Sequence, residues 1–167
     1  KDIQLSISRD LQDFCYDSLG DNTGSIVAMN AQNGEILSFV SKPSFDSNDL
    51  PQEKWNDIIK NEFKPMFNRA STGTYPPGSI FKLIVSLAAL NHKEFNPNKK
   101  YFCNGGYKFG NRIFHCWREE GHGWVDCKDA LAMSCDCYFY DLSLKVGIDR
   151  ISEIAKDFGL GKKYLDD

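Results

Sequence analysis

The 167-residue sequence contains no run of about 18 apolar residues, the length that a membrane-spanning helix needs. It also lacks a basic cluster: its 20 Lys and Arg and 23 Asp and Glu are interspersed and leave a net charge of −3. This pattern argues against DNA or RNA as a partner. Internal repeats, low-complexity segments and a signal peptide are absent as well, and the first residue is Lys1 rather than methionine. We therefore expect one ordinary domain, cut from a longer chain.

The most apolar part of the chain begins after Pro76-Pro77-Gly78. Residues 79–91 are too apolar for a surface helix, so they predict a buried helix that starts near Ser79. Ser79 and Lys82 lie three residues apart and would share one helix face, about 5–6 Å apart at Cβ. Apolar surroundings disfavour an ammonium ion, which makes Lys82 a candidate base for the Ser79 hydroxyl. The S-x-x-K spacing also occurs by chance in helices, and the flanking residues favour the catalytic interpretation.

A second serine lies in Ser134-Cys135-Asp136, at a predicted junction between two helices. A hydroxyl presented from such a junction can face the Ser79–Lys82 pair and pass protons to a leaving group. The simpler alternative is that Ser134 and Asp136 cap the following helix. The two roles are compatible.

Six cysteines occupy positions 15, 103, 116, 127, 135 and 137. In an oxidising compartment they would form disulfides, for which six cysteines allow 15 pairings. Alternatively, three thiolates and an imidazole from Cys103, Cys116, His122 and Cys135 form a common ligand set for structural zinc, although the spacing fits no compact zinc finger. Cys127 and Cys137 are alternates for this set, or buried small hydrophobes, as is expected of Cys15. The residues alone do not choose between metal and disulfides.

The remaining pattern predicts strands first and helices later, which is typical of an α+β fold. Ser8 is expected to cap a first helix, and Asn33-Gly34 predicts a hairpin between strands at 25–29 and 36–40. A weak helix is predicted at 58–67, two short strands at 107–109 and 112–114, and a helix capped by Asp126 or Asp129. Helices are predicted at 138–146 and 149–158, and Trp117 is expected to pack locally. An unfinished sheet would expose an edge that can pair with another copy, which makes a swapped or edge-paired dimer a reasonable hypothesis.

The two serine motifs together resemble those of the penicillin-recognising serine acyl transferases, which combine S-x-x-K, an S-D-N-like motif and K-T-G. Within this family the sequence is similar to the class B enzymes of the penicillin-binding protein 2 group, which carry an acidic residue at the position of Asp136. The Gly121-His122-Gly123 segment and the Asn33-Gly34 hairpin also look like that group. The resemblance covers nearly the whole chain. It implies part of a transpeptidase domain with a serine β-lactamase-like fold, mainly its helical lobe plus a hairpin of the sheet.

By this resemblance, Ser79 is acylated by a D-Ala-D-Ala stem peptide or a β-lactam, Lys82 is the base, and Ser134 with Asp136 completes the site. The parent would be a D,D-transpeptidase that crosslinks peptidoglycan during cell elongation. It would be anchored by an N-terminal helix, absent here, at the periplasmic face of the inner membrane. A membrane glycosyltransferase and elongation scaffold proteins would be its partners. Some members carry zinc beside the active site, with acid, His and Cys ligands at positions similar to those proposed above.

The sequence departs from the family at its third motif, because Lys-Thr-Gly and Lys-Ser-Gly are both absent. That motif binds the substrate carboxylate in the family, so residues 1–167 would lack the C-terminal part of the domain and be a poor catalyst alone. Two alternatives stay open. One is a β-lactamase or β-lactam sensor of the same fold, and the other is a zinc-stabilised module without chemistry.

Overall fold

A computed structural model describes residues 2–46, 48 and 52–162. The chain divides into two compact units, Lys1–Tyr75 and Pro76–Asp167, and each contains both helices and strands. The α+β prediction is therefore confirmed. Among the described helices, none has both the length and the apolar character needed to cross a bilayer.

The first unit is built on an antiparallel hairpin, and its elements are α1 (Arg9–Ser18), β1 (Gly24–Met29), β2 (Ile36–Lys42) and α2 (Gln52–Lys60). Ile26 pairs with Val40, and the register shifts at Met29. Gly34 has a φ of +78°, which glycine adopts without steric cost. The hairpin predicted from Asn33-Gly34 is confirmed.

The chain's own N-terminal segment covers the outer edge of β2. The backbone N–H of Ser8 donates to the Leu37 carbonyl oxygen at 2.9 Å. The Gln12 amide accepts from the N–H of Phe39 at 2.7 Å and donates to the carbonyl oxygen of the same residue at 3.0 Å. Ser8 occupies the N-cap position of α1, as predicted, but its side chain makes no cap hydrogen bond. The edge-paired dimer remains a prediction and would form through β1, whose only strand neighbour in the described residues is β2.

The described residues of the second unit form four α-helices and four short strands. Its elements are a 3-10 turn (Gly78–Ile80), α3 (Phe81–Leu90), β3 (Tyr101–Cys103), β4 (Gly106–Phe109), β5 (Arg112–His115), β6 (Gly123–Val125), α4 (Cys127–Ala132), α5 (Asp136–Val146) and α6 (Ile148–Asp157). Antiparallel pairs form between β3 and β6 and between β4 and β5. The core lies where α3 meets α5 and α6, and it contains all five cysteines of this unit.

Several expectations about the elements need correction. Ser79 lies in the 3-10 turn, and α3 begins two residues later. The predicted burial of α3 holds for one face only, because Leu83, Leu87 and Leu90 are exposed. The weak helix predicted at 58–67 is α2, which ends at Lys60. Strand β6 was not predicted, because three residues are too few to show an alternating pattern.

Two leucines on α5 provide a direct measure of the core's contribution to stability. Leu142 is 5% exposed and Leu144 is 53% exposed. We expect Leu142→Ala to lower the free energy of unfolding by about 2–5 kcal/mol, because it leaves a cavity. Leu144→Ala should change it by no more than about 0.5 kcal/mol. Urea unfolding of the two variants measures both values, and equal losses would contradict this description of the core.

Candidate active site

Ser79 lies at the start of α3, on a turn that the preceding glycine makes possible. Gly78 has a φ of +56°, a region that residues with a Cβ rarely adopt. The Ser79 side chain is exposed, whereas Lys82, in the first turn of α3, is buried. The hydroxyl can therefore meet a ligand from solvent, while the lysine stays beneath it.

The ammonium group of Lys82 is held by three oxygen atoms. Its Nζ donates to the carbonyl oxygen and to the Oγ of Ser134, both at 2.9 Å. It also donates to Oδ1 of Asp136 at 2.6 Å, which forms a salt bridge. These three acceptors match the three protons of an ammonium group. The expectation that apolar surroundings disfavour the ammonium form of Lys82 needs correction, because the Asp136 carboxylate compensates that charge.

Ser134 connects Lys82 to Ser79. Its Oγ accepts from Lys82 and donates to Oγ of Ser79 at 2.8 Å. Among the described residues, no hydrogen bond joins Nζ of Lys82 directly to Ser79, and the Ser134 hydroxyl links the two. The predicted proximity of Ser79 and Lys82 is thus realised as a chain of two hydrogen bonds.

Ser134 takes a conformation that is rare for a residue with a Cβ. Its φ is +54°, in the left-handed region, at the junction of α4 and α5. Such residues cost free energy and persist only where the surroundings hold them. The turn is closed by backbone bonds from Ser134 to Leu131 and from Cys135 to Ala130. The conformation directs the Ser134 hydroxyl toward Ser79 and its carbonyl oxygen toward Lys82.

Asp136 does not serve as a helix cap. It is the first residue of α5, and the N-cap position belongs to Cys135, which makes no side-chain cap. Oδ1 of Asp136 accepts from Lys82, and Oδ2 accepts from the backbone N–H of Trp117 at 3.0 Å. The capping alternative is therefore wrong for this residue. The predicted cap at Asp126, by contrast, is confirmed, since its side chain accepts from the N–H of Asp129 at 2.9 Å.

Trp117 is the residue near this site whose contacts the sequence did not predict. Besides its backbone bond to Asp136, its indole Nε1 donates to the Met133 carbonyl oxygen at 3.0 Å. The sequence suggested only local packing. The one available signal was its place directly after Cys116, a candidate metal ligand.

The cysteine and histidine residues predicted to bind zinc come together beside this site. One ligand atom each from Cys103, Cys116, His122 and Cys135 lies within 4.8 Å of the others. Nδ1 of His122 is 3.5 Å from Sγ of Cys116 and 3.7 Å from Sγ of Cys103. The alternates Cys127 and Cys137 lie outside this set, and all six thiols are free, so the disulfide alternative is not what the structure shows.

Two glycines allow the loops that carry these ligands to cross closely. A Cβ at Gly105 would lie 1.8 Å from the Glu119 carbonyl oxygen, and a Cβ at Gly121 would lie 2.2 Å from the Cys103 carbonyl oxygen. Both glycines also have positive φ, at +90° and +81°. Any side chain here would force the loops, and with them the thiols, apart.

The thiols differ in their ionisation. Burial opposes ionisation of Cys103, but hydrogen bonds from the Gly105 backbone and the His122 ring prevail and lower its pKa to about 6. Burial, together with the neighbouring Cys103, raises the pKa of Cys135 to about 12. A bound cation would favour the thiolate forms of the cysteines that ligate it.

The chain resembles known proteins over most of its length. A family model described as the penicillin binding protein transpeptidase domain matches residues 24–167. The peptidoglycan D,D-transpeptidase MrdA of Haemophilus influenzae is 33% identical over 167 residues, which cover 96% of this chain and 26% of that relative. The chain thus spans about a quarter of the curated relative's length.

Two solved structures show the same fold. The structure of Pseudomonas aeruginosa PBP2 in complex with WCK 5153 matches with a TM-score of 0.91 and 37% identity, over 98% of this chain and 37% of that one. The complex between PBP2 and MreC from Helicobacter pylori matches with a TM-score of 0.91 and 31% identity, over 96% and 31% of the respective chains.

Asp136 and Asp141 lie on the same helix, and each forms an ion pair with a lysine. The pair of Asp136 is largely buried, and the pair of Asp141 is exposed. Both aspartate side chains are 22% exposed, but the partner Lys82 is 11% exposed, and Lys145, the partner of Asp141, is 61% exposed. We expect Asp136→Ala to destabilise the chain by about 3–5 kcal/mol, because it leaves a buried cation unpaired. Asp141→Ala should cost about 0–1 kcal/mol. Urea unfolding at neutral pH measures both losses. Similar losses would show that the ion pair with Lys82 contributes no more to the free energy of unfolding than the exposed pair does.

Proposed function

This chain belongs to the penicillin-binding protein transpeptidase family, and we propose that it carries the nucleophile, the base and the proton relay of a D,D-transpeptidase. The observation that supports this most directly is the hydrogen-bonded chain from Ser79 through Ser134 to Lys82. Oγ of Ser79 attacks the carbonyl carbon of the terminal D-Ala-D-Ala bond and forms an acyl-enzyme.

In this proposal Lys82 first releases one ammonium proton to solvent and then acts as the neutral amine. The two hydrogen bonds reverse in that state, so that Ser79 donates to Ser134 and Ser134 donates to Nζ of Lys82. The Ser79 proton passes to Oγ of Ser134, whose own proton passes to Nζ of Lys82, so that one ammonium forms as the Ser79–carbon bond forms. The Asp136 carboxylate lies 2.6 Å from that nitrogen and stabilises the charge that develops there. The same proton then returns through Ser134 to the leaving D-alanine amine. The amine of a second stem peptide attacks the ester by the reverse path and completes the crosslink.

The oxyanion of the tetrahedral intermediate would be bound in part by the backbone N–H of Ser79. The sequence contains no Lys-Thr-Gly or Lys-Ser-Gly to complete that site. Loss of one oxyanion donor typically costs about 10²–10³ in rate. Residues 1–167 alone should therefore react slowly or not at all with substrate.

We propose for the whole protein the roles that the resemblance to this family suggests. They are the crosslinking of peptidoglycan during cell elongation at the periplasmic face of the inner membrane, and inhibition by β-lactams. Partner proteins include a membrane glycosyltransferase and scaffold proteins, and the Helicobacter pylori complex between PBP2 and MreC supports a partner of the second kind.

Acylation by benzylpenicillin tests the nucleophile. In the full-length gene product that contains this sequence, we expect the mass of one penicilloyl group to be added, because a β-lactam presents a strained amide to Ser79. Ser79→Ala should abolish the adduct, whereas Ser143→Ala, whose hydroxyl bonds to the Phe139 carbonyl oxygen on α5, should retain it. Intact mass spectrometry measures both. An adduct that survives Ser79→Ala would overturn the proposal, and one lost within seconds would favour a β-lactamase.

We further propose that Cys103, Cys116, His122 and Cys135 hold a structural zinc ion. Zn–S bonds of about 2.3 Å and Zn–N bonds of about 2.0–2.1 Å in a tetrahedron separate nitrogen from sulfur by about 3.5 Å. The two distances from Nδ1 of His122, 3.5 and 3.7 Å, fit this value. Zinc would add no step to the chemistry. It would fix Cys135, and hence its neighbours Ser134 and Asp136, relative to the loops of β3 and β5.

Zinc content tests this set directly. Native mass spectrometry of the purified chain should show one zinc ion and free thiols. Cys135→Ser should weaken zinc affinity by at least about 10–100-fold, the loss found even for outer-shell changes. Cys127→Ser, a change at a buried thiol outside the set, should keep full occupancy. A metal-free chain, or equal occupancy in both variants, would contradict the proposal.

A further inference from the structure

We propose that Trp117 is a positioning residue that holds the Ser134 turn in its reactive conformation. This inference rests on the proposed function, in which the Ser134 hydroxyl relays the proton of Ser79. Trp117 itself touches neither Ser79 nor Lys82 through any hydrogen bond of the described residues. It acts through the residues on both sides of Ser134.

The two hydrogen bonds of Trp117 bracket the turn. Its indole Nε1 donates to the carbonyl oxygen of Met133, the residue before Ser134, at 3.0 Å. Its backbone N–H donates to Oδ2 of Asp136, two residues after Ser134, also at 3.0 Å. One residue therefore fixes both ends of a segment of four residues.

The turn needs such support because its conformation is unfavourable in isolation. Ser134 has a φ of +54°, and α4 ends at Ala132, so the carbonyl oxygen of Met133, the C-cap residue, has no partner within that helix. The indole N–H supplies a partner to the Met133 carbonyl oxygen. Without it, that carbonyl would turn toward water, and the Ser134 peptide would be free to leave the left-handed region.

Trp117 also connects the turn to the cluster of cysteine and histidine. It directly follows Cys116, and its ring packs edge-on against the His122 imidazole with centroids 5.4 Å apart. The side chain is 64% exposed, so these contacts, and not burial, determine its position. The cluster is thus connected to Ser134 in two ways. Cys135 is its neighbour in the chain, and Trp117, which packs on His122, hydrogen-bonds to the residues on both sides of it.

The closest matched control is Trp124 on β6. It is 65% exposed and packs against the Phe102 ring with centroids 5.3 Å apart. No hydrogen bond of the described residues links its indole to the Ser134 turn. Trp117→Phe and Trp124→Phe therefore remove the same N–H group, and only the first removes it from the proposed clamp.

The first measurement is amide hydrogen exchange in the chain with its native metal content. In Trp117→Phe the amides of Ser134 and Cys135, which bond to the carbonyl oxygens of Leu131 and Ala130, should exchange about tenfold faster, the effect of losing one hydrogen bond. In Trp124→Phe they should exchange as in the wild type. Unchanged exchange in Trp117→Phe would overturn the proposal, whatever the enzyme does.

The second measurement is acylation of the full-length gene product by benzylpenicillin. Trp117→Phe should lower the limiting acylation rate constant about tenfold and leave the half-saturating concentration and the zinc content close to wild type. A normal rate constant with faster exchange would overturn the catalytic part of the inference. If the wild type is not acylated while the exchange result holds, the proposed transpeptidase function fails and the positioning role stands.

Discussion

The charge of Lys82 is the constraint on which the site depends. A buried ammonium group is costly unless it is paired and fully hydrogen-bonded, and here one carboxylate and two oxygens of Ser134 supply the partners. Those acceptors come from the junction of α4 and α5, more than fifty residues along the chain. The need to satisfy one cation therefore holds α3 and α5 in place, and the same contacts bring the Ser134 hydroxyl to Ser79.

The sequence predicted the members of this site better than their connections. The family that the two serine motifs indicate is confirmed, because the motifs rest on residue types at fixed spacing. The set of Cys103, Cys116, His122 and Cys135 was one of several combinations that the sequence allowed, and the fold brings that set together. The acceptor of the Trp117 indole is the carbonyl oxygen of Met133, the C-cap residue of α4, and no local pattern records such a long-range bond.

Strand β6 shows why some elements were missed. It forms by pairing with β3, about twenty residues earlier in the chain, and no local pattern records that pairing. The apolar character of α3 was read as complete burial, yet Leu83, Leu87 and Leu90 face outward in the described residues. The apolar character of a helix shows which side chains could be buried. Whether they are buried depends on which other elements pack against the helix.

Gln12 illustrates how a side chain can stand in for a strand. Its amide group both donates to and accepts from the backbone of Phe39, as the peptide group of a neighbouring strand would. The choice of first residue in any shortened version of this protein therefore matters. A version that starts beyond Gln12 would leave the Phe39 peptide open to any extended chain nearby, and self-association of the hairpin would follow from the loss of a helix rather than from a change in the sheet.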